Sequence, residues 1–65
     1  MKINLFVKYV RKQLGLTQQQ FAELLKIKRA SIANYETGRT IPPGNVLIEI
    51  QYLEKQIDGL PRKQQ

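Results

Sequence analysis

Lys28, Arg29, Ser31 and Asn34 fall within one short stretch of the chain, and their functional groups suit recognition by hydrogen bonding. A guanidinium can fork onto two acceptors, and a carboxamide offers a donor and an acceptor in one plane. With an ammonium and a hydroxyl they form a set that fits the base edges and phosphates of a DNA groove. Groups for bond-breaking chemistry are scarce by contrast. The chain has no histidine, no cysteine and five acids, none at metal-ligand spacing. No nucleophile and base pair and no structural zinc site can be assembled from these residues, and disulfides are excluded. The expectation is a protein that is not an enzyme and that carries no metal or other cofactor.

The recognition groups need a helix that turns one face outward. Thr17 followed three residues later by Gln20 is a capping box, which opens a helix at Gln18. Phe21, Ala22, Leu24 and Leu25 supply its apolar side. A second run containing Ala30, Ile32, Ala33 and Tyr35 closes at Thr37-Gly38, where glycine can take the left-handed cap. Helices of about eight residues do not stand alone, so this helix-turn-helix at residues 17–37 requires further packing. Ile3, Phe6, Val7, Val10 and Leu14 recur at steps of three and four and predict a preceding core helix.

Beyond the break at Ile41-Pro42-Pro43-Gly44-Asn45, a fourth helix is expected from Val46 to Ile57. Val46, Ile50, Leu53 and Ile57 form its core stripe, whereas Ile48 and Tyr52 fall on nearly the opposite side. One core in a chain of 65 residues cannot bury both faces. A second partner is therefore expected at Ile48 and Tyr52, and association would also compensate for the small core. Gly59-Leu60-Pro61 ends the helix, which divides the chain into a domain at 1–58 and a disordered tail at 59–65.

Charge is unevenly distributed. Residues 1–39 contain eight of the eleven basic residues and two of the five acids, so the whole formal net charge of +6 resides there. That distribution suits docking on phosphates. Charge alone would also fit a basic helix lying on a membrane surface, but the apolar faces are required for a core. The N-terminal MKINLFVKYVRKQ scatters charge among its apolar residues, unlike a signal peptide or a membrane span. A soluble, cytoplasmic protein is expected, associated with the nucleoid through DNA.

Arg11, Gly15-Leu16-Thr17-Gln18, Phe21-Ala22, Ile27, Ile32, Tyr35-Glu36 and Gly38-Arg39 resemble the Cro/repressor (XRE-type) helix-turn-helix family, with the spacing intact across residues 7–43. The resemblance implies an all-α, compact domain of four to five helices, like the DNA-binding domain of lambdoid repressors. It assigns Arg29, Ala30 and Asn34 to base contacts, for which arginine on guanine, alanine on a thymine methyl and asparagine on adenine are suitable chemistry. It places Gln18, at the start of its helix, against a phosphate; as a residue read by itself, Gln18 could equally cap or face water. Lys28, Ser31, Thr37, Arg39 and Thr40 are expected on the DNA backbone. Arg11, by itself an ordinary surface arginine, is matched to the arginine that pairs with the glutamate corresponding to Glu36.

The same resemblance implies dimerisation through C-terminal helices, although Gln51 and Glu54 stand where the family usually has apolar residues. Two further departures lie in the turn. Lys26 replaces the usual glycine, so either it takes a left-handed conformation or the helix runs on, and Lys28 replaces the usual serine or threonine cap. The implied function is that of a small dimeric repressor, which occupies an inverted-repeat operator in double-stranded DNA and blocks polymerase. Its regulation would come from concentration and dimerisation, with no small-molecule ligand and no membrane partner. The alternative is an interaction module that uses the same scaffold to bind an acidic protein.

Overall fold

The computed structural model describes residues 2–59, which form four helices: α1 (Ile3–Gln13), α2 (Gln18–Leu25), α3 (Arg29–Thr37) and α4 (Gly44–Gly59). There is no strand among the described residues, and the fold is all-α. Each boundary has a local cause. α1 stops at Gln13 and the chain turns through Gly15, at φ 72°. α2 begins with the reciprocal capping box, in which the Gln20 amide donates to Thr17 Oγ1 at 3.0 Å and the Thr17 amide donates to Gln20 Oε1 at 2.9 Å.

The turn between α2 and α3 is made without glycine. Lys26 sits at φ 59°, ψ 44°, the only non-glycine residue with positive φ among those described. Its amide donates to the Glu23 carbonyl at 3.2 Å, and that of Ile27 reaches back to the Ala22 carbonyl at 2.9 Å. These two bonds close α2 as a left-handed cap, with the half-buried Ile27 side chain packed against the core. α3 starts at Lys28, whose side chain provides no capping bond. α4 begins directly after the proline pair, and its first bond runs from the Leu47 amide to the Pro43 carbonyl at 2.9 Å. It therefore opens two residues earlier than the apolar stripe indicates, because a proline carbonyl accepts as well as any other. α4 extends through Gly59, which was expected in the tail, and the rest of that expected tail, 60–65, lies outside the described residues.

Val7, Val10, Phe21, Ala22, Leu25, Ile32, Tyr35, Val46, Ile50 and Ile57 form one buried cluster, against which Ile3, Phe6, Leu14, Leu16 and Leu53 pack. α3 lies between α2 and α1, and α4 packs on α1. One expected core position is corrected: Leu24 is 48% exposed, since Phe21, Ala22 and Leu25 already fill the buried side of the two-turn α2.

A lysine Cβ in the left-handed region costs about 1–2 kcal/mol, part of which is returned by the narrower unfolded ensemble of a non-glycine residue. Lys26→Gly is accordingly expected to raise stability by about 1 kcal/mol in urea titration. A loss of stability would show that the Lys26 side chain makes a compensating interaction.

Candidate nucleic-acid interface

A single buried carboxylate joins three of the four helices. Glu36, on α3, is 9% exposed. Its Oε2 accepts from Arg11 Nε at 2.6 Å, and its Oε1 accepts from Arg11 Nη2 at 3.1 Å. Gln18 Nε2 donates to the same Oε1 at 3.1 Å, and Arg11 Nη1 donates to the Leu16 carbonyl at 2.9 Å. The end of α1, the linker, the first residue of α2 and the last turn of α3 are thus fixed to one another. The hydrogen bond to Glu36 raises the Arg11 guanidinium above its ordinary value, against the opposing effect of burial, so the arginine stays charged. No buried side-chain nitrogen or oxygen among the described residues lacks a partner.

This arrangement modifies the picture of Gln18. One of its amide protons is committed to Glu36, which leaves the second proton and Oε1 for an outside partner. The Gln18–Glu36 bond was not visible in sequence, because two residues eighteen apart carry no local signal of contact.

With α3 held in this way, its outer side is set by helical spacing. Ile32, Tyr35 and Glu36 face inward, and Ala30, Asn34 and Thr37 form the opposite stripe, whereas Arg29 shares the side of Ile32 and Glu36 by spacing and is exposed because it is the first residue of the helix. Arg29 and Ala30 are exposed, and Ser31, Ala33 and Asn34 are half-buried. Ala33 is half-buried at the edge of this stripe, where a methyl group permits close approach of the helix backbone. Lys28, Arg39 and Thr40 are exposed at the two ends of α3. The Thr37 hydroxyl, exposed at the end of α3, donates to the Asn34 carbonyl at 3.2 Å.

The Asn34 carbonyl also accepts the amides of Arg39 at 2.9 Å and Thr40 at 3.4 Å. The turn after α3 is therefore tied to the residue at the centre of the outward stripe. Among the described residues no cluster of acidic side chains could hold a metal ion, and no helix is long and apolar enough to cross a membrane.

A short capped helix, a tight turn and an outward-facing second helix locked to a three-helix support define a helix-turn-helix domain, a DNA-binding module. The chain belongs to the XRE-type helix-turn-helix family, whose model, described as helix-turn-helix, matches residues 7–51. It is a DNA-binding regulator. No curated protein and no solved structure matches the chain.

Removing either partner strands the other charge in the interior, which costs about 3–5 kcal/mol, whereas the intact pair contributes little net stability. Arg11→Ala and Glu36→Ala are expected to be non-additive in a double-mutant cycle, with a coupling of roughly 1–3 kcal/mol in chemical denaturation. Additive losses would mean that the pair is not formed in solution.

Proposed function

We propose that this protein is a dimeric, sequence-specific repressor that inserts α3 into the major groove of an inverted-repeat operator. The observation that carries the reading is that Arg29, exposed at the first position of α3, and Asn34, on its outward stripe, belong to a helix immobilised by the Glu36 network. Arg29, Ala30 and Asn34 read base edges in this scheme. Gln18, Lys28, Ser31, Thr37, Arg39 and Thr40 hold the phosphates on either side. Residues 1–58 act as one domain with no catalytic role, and no cofactor or small-molecule ligand is required. Occupation of a promoter, in the cytoplasm, excludes polymerase.

Dimerisation is supported by α4. Ile48 is 66% exposed and Tyr52 62% exposed, one helical turn apart on the side away from the core. Joining two copies at this face would cover both. A two-fold axis would then place two α3 helices in successive major grooves about 34 Å apart, so that half-sites are inverted and about one helical turn from centre to centre.

Selection of binding sites from random duplexes with purified protein tests the reading directly, and a symmetric motif is the expected product. On that motif, Arg29→Ala and Asn34→Ala should each cost about 1–3 kcal/mol while random DNA is bound nearly as before. Equal losses on both DNAs would assign the two side chains to phosphates. Ile48→Glu combined with Tyr52→Glu is expected to give a folded monomer, by sedimentation and circular dichroism, whose operator affinity falls steeply. A double mutant that remains dimeric would remove this interface.

A further inference from the structure

The turn after α3 folds back onto the start of α1. Gly38, at φ 81°, lies so near α1 that a Cβ built on it would meet the Asn4 side chain at 3.8 Å. Beside this approach opens a notch of about 300 Å³, lined by Lys2, Asn4, Tyr35, Gly38, Thr40 and Ile41 among others. Lys2 and Thr40 are exposed and Asn4 is half-buried. Among the described residues, the Lys2 ammonium, the Asn4 carboxamide and the Thr40 hydroxyl have no hydrogen-bond or ion-pair partner. Among the described residues no carboxylate lines this notch, in contrast to the groove of about 400 Å³ between α1 and α4, whose lining includes both Glu54 and Lys55.

Its lining is divided chemically. A cation, an amide and a hydroxyl stand together with apolar walls, among them the largely buried Tyr35 ring and Ile41, which is 72% exposed and lies outside the core. A sugar–phosphate unit has the same division, with an anion that takes donors and a deoxyribose that packs on apolar surface. The notch is also fixed relative to α3, because the Thr40 amide is bonded to the Asn34 carbonyl.

We propose that this notch seats one backbone phosphate of the DNA that α3 reads, with Lys2 just before α1, Asn4 in its first turn and Thr40 on the turn as its donors and Ile41 beneath the adjoining sugar. The proposal rests on the DNA-binding reading above and adds Lys2 and Asn4 to the contact set. It makes the start of α1 a second point of attachment beside the start of α2.

The test uses the full chain, the duplex selected from the random pool and an unrelated duplex. Lys2→Gln and Asn4→Ala are each expected to stay helical by circular dichroism and to weaken both duplexes by a common factor. Lys2→Gln should also lower the slope of log affinity against log salt by about 1, as loss of one phosphate contact does. Unchanged affinity and slope in both variants, while Arg29→Ala still weakens the selected duplex, would overturn the notch and leave the DNA-binding reading standing. Failure of the unmodified protein to bind any duplex would remove both. Titration with inorganic phosphate alone separates the remaining source: amide shifts at Asn4 and Thr40 that millimolar phosphate produces and duplex does not would assign the notch to a free anion and overturn the proposal.

Discussion

Glu36 imposes the constraint that orders the rest of the molecule. A carboxylate taken out of water must be supplied with donors, and here the donors come from different elements: two from Arg11 on α1 and one from Gln18 at the head of α2. The helices cannot change their mutual angles without breaking at least one of these bonds. Since a buried ion pair roughly breaks even against its desolvation, the network contributes orientation, and stability comes from the apolar cluster around Phe21, Ile32 and Ile50. The two contributions are complementary. Apolar contacts are non-directional and would tolerate small rotations of α3, whereas hydrogen bonds to a single carboxylate do not.

Features written in short-range chemistry were legible in the sequence. The Thr17–Gln20 box, the left-handed Gly38 and the spacing of Val7, Val10 and Leu14 each depend on residues at most four positions apart, and each has its place in the structure. The Arg11–Glu36 pair bridges twenty-five positions and was legible only through family resemblance, since an arginine beside an apolar stripe does not reveal its partner. Gln18 donating to Glu36 was not legible at all. Leu24 was misread because α2 has more apolar residues than its buried side can take, and periodicity does not say which of them yields.

The left-handed Lys26 illustrates how the fold overrides local preference. Two capping bonds and the docking of Ile27 impose the turn, and the backbone accepts an unfavourable region at one residue. The motif glycine is therefore a convenience of the turn, not a condition for it. α4 is in a different position. It packs on α1, and with Ile48 and Tyr52 uncovered it is the element whose stability would gain most from the proposed association.

The Asn34 carbonyl, which accepts from Thr37, Arg39 and Thr40, bears on how such a protein can diversify. Every amino acid carries that carbonyl. The side chain at position 34 can therefore be exchanged during evolution without releasing the turn that follows, and the same independence holds for the exposed Arg29 and Ala30. Under the proposed mode of readout, new operator preferences are reachable by single substitutions that leave the scaffold untouched, whereas Arg11, Gln18 and Glu36 can change only together. A lineage built on this plan would keep its support and vary its lettering.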